Sequence, residues 1–171
     1  LKLSSMRRTV IGGSACPPAM LDAFREKYGV VVNHAWGMTE MSPIGTYGTL
    51  KGKHLDADWP TQRAILLKQG RAVFGVDMKI VDPEGRELPR DGKASGDLLV
   101  RGAWIVGEYF KGEGGTIVDK DGYFATGDVA TIDPDGFMQI TDRSKDVIKS
   151  GGEWISSIDV ENIAMAHPAV M

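Results

Sequence analysis

Arg8-Thr9-Val10-Ile11-Gly12-Gly13-Ser14, followed by Pro17-Pro18 and closed by Gly29-Val30-Val31-Val32, is the stretch that decides the fold. Its first four residues read as a short buried strand, and the glycines after it permit positive φ and close backbone approach. Pro17-Pro18 then opens a helix whose apolar positions, Met20, Leu21, Phe24 and Tyr28, recur at helical spacing until Gly29 stops it. Val30-Val31-Val32 is a second buried strand. Strand, helix and strand in that order make a βαβ unit and imply a parallel sheet. Trp36-Gly37-Met38-Thr39-Glu40 follows where the second strand gives way to a loop, the edge at which α/β proteins bind ligands.

The pattern changes from Gly75 onward. Val76 to Val81 alternates as a strand, Asp82-Pro83-Glu84-Gly85 turns, and Gly96 to Gly102 forms the next strand. Asp119-Lys120-Asp121-Gly122 and Asp133-Pro134-Asp135-Gly136 are further turns, flanking Tyr123-Phe124 and Phe137-Met138-Gln139-Ile140. A last helix is expected over 158–165, capped by Ser156 or Ser157, with Asp159 and Glu161 in its first turn. The fold class is therefore α/β with a β-rich subdomain.

Composition narrows the class of function. Hydrophobic residues make up 42% of the 171, as in a globular domain, and the net charge of −3 gives no basic footprint for nucleic acid or an anionic membrane. No apolar run approaches the roughly 20 residues that span a bilayer. Cys16 is the only cysteine, so an internal disulfide is excluded and a reducing, cytoplasmic setting fits. Cys16, His34, His54 and His167 lack metal-ligand spacing and are read as structural residues. Leu1 is not an initiator methionine, and His167-Pro168-Ala169-Val170-Met171 ends where a strand would begin, so an internal segment of a larger protein is expected.

Three polar signatures occur in a fixed order: Trp36-Gly37-Met38-Thr39-Glu40, then Ala125-Thr126-Gly127-Asp128, then Asp142-Arg143-Ser144-Lys145 running into Lys149-Ser150-Gly151-Gly152-Glu153-Trp154. Together they resemble the adenylate-forming, or AMP-binding, superfamily of acyl-CoA synthetases, luciferases and peptide-synthetase adenylation domains. The stretch from Lys149 to Ser157 is most similar to medium- to long-chain fatty acyl-CoA ligases. The resemblance implies that the main chain of Gly13, Ser14 and Ala15 lies against adenine and that Trp36 and Gly37 belong to the same nucleotide site. Trp36 stands where the family usually has tyrosine, which keeps a stacking face and loses the phenol.

By the same resemblance, Thr39 contacts phosphate and Glu40 holds Mg²⁺, a hard cation that prefers oxygen ligands. Asp128 accepts from the ribose hydroxyls, with Arg143 as the second ribose contact. Lys145 is the implied hinge, and Lys149 and Gly152 the face presented for thioester formation. Residues 1–142 would be the C-terminal part of a large AMP-binding domain, with a parallel sheet, helices and a barrel-like part. Residues 143–171 would be the hinge and the start of a small α+β domain. The family's phosphate loop is expected before Gly12 and its adenylation lysine after Met171.

The implied reaction joins a carboxylic acid, expected to be a fatty acid, to coenzyme A at the expense of ATP, with Mg²⁺. A homodimer is compatible with it. Two other readings stay open: a non-catalytic nucleotide-binding or assembly module, and an adenylation domain that loads a carrier protein.

Overall fold

The computed structural model describes residues 2–143, 148–150, 153–155, 157–165 and 169. The first sheet has the order β1 (Arg8–Ile11), β2 (Val31–Gly37), β3 (Ile44–Tyr47), β4 (Arg71–Ala72). α1 (Pro18–Tyr28) joins β1 to β2, which run parallel with Arg8 opposite Val31. Gly29 ends the helix at φ 64°, where its N–H returns to the Arg25 carbonyl and the Val30 N–H to that of Phe24, each at 3.0 Å. Of the expected apolar face, Leu21 is fully buried, whereas Met20 and Tyr28 remain exposed. Leu21 packs with Cys16, Val32 and Leu66. Burial on that scale is worth about 1.5–3 kcal/mol for a leucine.

The parallel arrangement expected of this sheet holds for β1 and β2 alone. β3 pairs antiparallel with β2, and β4 antiparallel with β3, so the sheet is mixed. Only a few residues separate Gly37 from Ile44, and a parallel return needs a crossover of about a dozen or more. The segment between residues 41 and 75, where the local pattern assigns no element, also contains α2 (Trp59–Leu66). Asp58 caps that helix by accepting the Thr61 N–H at 3.1 Å.

The second sheet is an antiparallel meander of β5 (Val76–Val81), β6 (Ser95–Gly102), β7 (Phe124–Ile132) and β8 (Met138–Arg143). Its turns work as their composition suggests. Asp133 Oδ1, for example, accepts from the N–H groups of Asp135 and Phe137 at 2.9 and 3.0 Å. Ile80, Leu98, Val100, Ile132 and Met138 form the core, and Trp36 and Met41 from the first sheet's side insert into it.

The two sheets are fastened beside that insertion. Gln69 N–H donates to the Met138 carbonyl at 3.0 Å and Met138 N–H to the Gly70 carbonyl at 2.7 Å. Gln69 Oε1 accepts from Ile140 N–H at 2.7 Å, and Lys68 meets Asp133 at 2.7 Å. β9 (Ile148–Ser150) and β10 (Glu153–Ile155) form an antiparallel pair, and α3 (Ser157–Met165) follows. Ser157 is the first residue of α3, and Ser156 lies outside the described residues. No helix among the described residues is long and apolar enough to cross a membrane.

Candidate active site

The C-terminal ends of β1 and β2, a bend in β7 and the end of β8 enclose a cleft of about 920 Å³. Its wall holds Gly13, Ser14 and Ala15 from the turn after β1, Trp36 and Gly37 from β2, Glu40 beyond it, and Asp128 and Arg143 from the second sheet. These are eight of the residues that the sequence pointed to. Thr39 does not share this wall. It lines a smaller adjoining cavity of about 250 Å³ with Ser42, Trp104 and Val106, while Glu40 and Tyr109 border both spaces.

Each position has a local cause. Gly12 lets the turn pass close to β2, because a Cβ there would sit 2.9 Å from the Ala35 carbonyl oxygen. Gly37 is fixed by packing of the chain on itself: a Cβ would lie 1.8 Å from the Pro43 carbonyl oxygen. Thr39 begins a 3-10 turn, Thr39–Met41, whose cap is Met38 with no side-chain hydrogen bond, so Thr39 is not acting as a helix cap.

Asp128 follows Gly127, which bends β7 at φ 79°. Thr126 Oγ1 braces the bend by donating to the Leu98 carbonyl at 2.9 Å and accepting from Asp128 N–H at 3.1 Å. Asp128 and Arg143 are direct cross-strand partners in the β7–β8 hairpin, which explains their fixed separation in sequence. Arg143 Nε lies 3.9 Å from Asp128 Oδ1, and the arginine side chain is otherwise 74% exposed. Trp36, 9% exposed, donates its indole N–H to Asp128 Oδ2 at 2.9 Å. Burial raises the Asp128 carboxyl above its ordinary range, and the Trp36 bond and the Arg143 charge offset part of that rise.

Several wall residues carry no signature. His34 is buried, with Nε2 3.2 Å from the Ser14 carbonyl and Nδ1 3.2 Å from the Leu67 carbonyl. It thereby ties the turn after β1 to the end of α2. A polar pair, Asn33-His34, inside an apolar strand was the available signal, because buried polar groups need partners. Tyr109 reaches Glu40 from a glycine-rich loop, and its O–H donates to Glu40 Oε1 at 2.8 Å. That bond pushes the Tyr109 phenol above its usual value.

Asp142, at the end of β8, is buried. It accepts from Ser157 Oγ at 2.9 Å and from Ser157 N–H at 3.3 Å, bringing Ser157 and Glu161 of α3 to the cleft. Lys145 and Gly152 lie outside the described residues, and Lys149 is described only as a backbone position in β9, opposite Trp154. Cys16 is buried, which raises its thiol, and His54 stands 3.3 Å from Asp135, away from the cleft wall. His167 lies outside the described residues.

Comparison with known proteins identifies the family. Residues 1–110 match the family described as AMP-binding enzyme. The chain belongs to the AMP-binding enzyme family. It is 58% identical over 167 residues to the 3-methylmercaptopropionyl-CoA ligase of Ruegeria lacuscaerulensis, covering 98% of this chain and 31% of that protein. It is 51% identical over 170 residues to the medium-chain-fatty-acid–CoA ligase of Ectopseudomonas oleovorans, covering 99% of this chain and 31% of that one. The Bacillus subtilis O-succinylbenzoate coenzyme A synthetase, solved with ATP and magnesium ion, superposes with a TM-score of 0.78 at 30% identity, over 96% of this chain and 32% of that one. The AMP-binding chain described here thus spans about a third of the length of the relatives it matches.

Proposed function

We propose that the complete polypeptide carrying these residues is an ATP-dependent acid–thiol ligase that makes an acyl-adenylate and passes the acyl group to coenzyme A. The observation that carries this reading is the single cleft in which Gly13, Trp36, Glu40, Asp128 and Arg143 converge from two sheets. The adenine would lie between the turn at 13–15 and the face of Trp36. Asp128 and Arg143 would take the ribose hydroxyls, the first as acceptor and the second as a fixed-geometry donor. Thr39, on the adjoining cavity, would meet phosphate.

The residues present suit Mg²⁺. The described residues hold no cluster of three or more His, Cys, Asp or Glu side chains, so there is no all-protein cage. One carboxylate, Glu40, beside a space for polyphosphate is the donor set Mg²⁺ accepts, since it keeps waters and takes its other ligands from the nucleotide. When bound, the ion would neutralise charge on the leaving pyrophosphate.

In the first step the substrate carboxylate oxygen bonds to the α-phosphorus of ATP as the bond to the bridging oxygen breaks and pyrophosphate leaves. In the second, the coenzyme A sulfur bonds to the acyl carbonyl carbon, AMP leaves and the thiol proton is released. We take residues 1–142 as the end of the large domain and 143–171 as the start of the small one. Rotation about Lys145 would then bring Lys149 and Gly152 to the cleft for the second step.

The acid is proposed to be aliphatic and short to medium in length, because relatives above half identity are named for a methylmercaptopropionyl group and for medium-chain fatty acids. The test is acid-dependent pyrophosphate exchange by the complete polypeptide across aliphatic acids of increasing length, followed by thioester formation with coenzyme A. Exchange confined to short and medium acids supports the reading. Tight ATP binding with no acid-dependent exchange overturns it in favour of a nucleotide-binding module.

A further inference from the structure

The connection between β6 and β7 reaches the start of β3 and is fastened around Glu40. Val106 N–H donates to the main-chain carbonyl of Glu40 at 2.8 Å. Trp104 Nε1–H donates to the Ile44 carbonyl at 3.2 Å. The third attachment is the O–H of Tyr109 on Glu40 Oε1 at 2.8 Å. Glu40 and Tyr109 together form the partition between the cleft and the smaller cavity. The 3-10 turn that carries Glu40 has no side-chain cap bond of its own, so the support on its carboxylate comes from a residue 69 positions further along the chain.

A glutamate on so short a turn has three free side-chain torsions, and a cation ligand works best when held in one rotamer before the ion arrives. A phenol is suited to holding it. It is neutral, so it orients the carboxylate without cancelling the charge that attracts the cation, as a lysine or arginine would. It donates one hydrogen bond, which occupies Oε1 and keeps Oε2 available.

We infer that Tyr109 is a positioning residue for the first half-reaction: its O–H fixes the Glu40 carboxylate on the partition between the two cavities, ready to ligate the divalent cation carried by the ATP polyphosphate. This rests on the proposed role of Glu40 as the cation ligand. Phenylalanine at this position removes one oxygen from a ring that is already 38% exposed and leaves the two backbone-directed attachments of the loop in place.

The experiment is calorimetric binding of ATP and of AMP to the complete polypeptide over a Mg²⁺ series, for the wild type, Tyr109→Phe and Glu40→Gln. AMP lacks the β- and γ-phosphates and reports the adenine and ribose contacts. Tyr109→Phe is expected to raise the Mg²⁺ concentration that gives half of the ATP enhancement by about tenfold, the cost of one hydrogen bond to a charged group, with AMP affinity unchanged. Glu40→Gln is expected to raise it at least as far. Wild-type Mg²⁺ dependence in Tyr109→Phe, with the dependence lost in Glu40→Gln, would overturn the role of Tyr109 and leave that of Glu40 standing. Parallel loss of ATP and AMP affinity in Tyr109→Phe would overturn it as well, by showing a general structural role. Unaltered dependence in Glu40→Gln would remove Glu40 as a ligand, and the inference would fall with it.

Discussion

The indole N–H of Trp36 donates to the carboxylate of Asp128, a residue 92 positions away, at 2.9 Å. In the proposed function one side chain would offer a flat face to the purine, while its edge donates to the group expected to hold the ribose. Trp36→Phe keeps the first and removes the second. Nucleotide affinity should fall by about 1–3 kcal/mol, because Asp128 Oδ2 loses its partner in a buried setting. The Asp128 carboxyl should also titrate higher, since the Trp36 bond is one of the two influences lowering it. Calorimetry with AMP measures the first effect, and unchanged affinity would limit Trp36 to a packing role.

Asp128→Asn should separate stability from binding. Burial raises the Asp128 carboxyl in the folded protein, so its contribution to stability is fully present below the unfolded-state value and is lost as pH rises through the folded-state value. At neutral pH the ionised side chain is therefore a cost. Asparagine can still accept from Trp36 and carries no charge. The variant should melt with the wild type near pH 3 and at a higher temperature near pH 7, while ATP affinity falls about tenfold on loss of a charged acceptor. Thermal melts at the two pH values decide it. A variant less stable than wild type at neutral pH would contradict the sign.

A second pH effect runs the opposite way. Lys53, with Lys51, holds Asp135 down to about 2, at 2.7 and 3.2 Å, linking the loop before α2 to the β7–β8 turn. For a depressed carboxyl the stabilisation is present above the unfolded-state value near 3.8 and is lost as pH falls toward about 2. Asp135→Asn should therefore be less stable than wild type at neutral pH. The difference should shrink across that acid window, and also in high salt, because the pair lies near the surface. Urea titrations at several pH values give the curve. A difference that does not vary with pH would mean that the turn's shape, rather than its charge, is what matters.

Gly45→Ala tests how tightly Trp36 is seated. A Cβ at residue 45 would lie 2.7 Å from the Trp36 ring and 2.6 Å from Met41 Sδ, inside van der Waals contact for both. The expected loss is about 1–3 kcal/mol of stability, as for other overpacked cores. A shift in tryptophan emission should accompany it. Full stability with unchanged emission would show that the ring can give way freely.

How much of this was legible in the sequence depended on the range of the forces involved. β1, α1 and β2 could be read because helical spacing, the Gly29 stop and an apolar strand are all local signals, although β1 is an edge strand whose residues are exposed or half-buried rather than buried as expected. The Asp128–Arg143 pair could be read because a hairpin converts register into a fixed spacing. β3 and β4 are four and two residues long, too short to show an alternating pattern, and β4 is further defined by pairing with β3 across the intervening α2. α2 did carry a start signal, Asp58-Trp59-Pro60, within a stretch whose short helix has no strong apolar repeat. The meeting of Tyr109 with Glu40 has no local trace at all, because it depends on where a long loop lands.

The cross-strand position of Arg143 opposite Asp128 also makes the β7–β8 hairpin a ruler. Its gauge is the number of residues in the Asp133–Gly136 turn and the two strand arms. One residue more or fewer would rotate the following side chains to the opposite sheet face, taking Arg143 off the cleft although every residue name survived. Length in this segment is thus as much a part of the site as chemistry, and a redesign that lengthens loops should leave this turn alone.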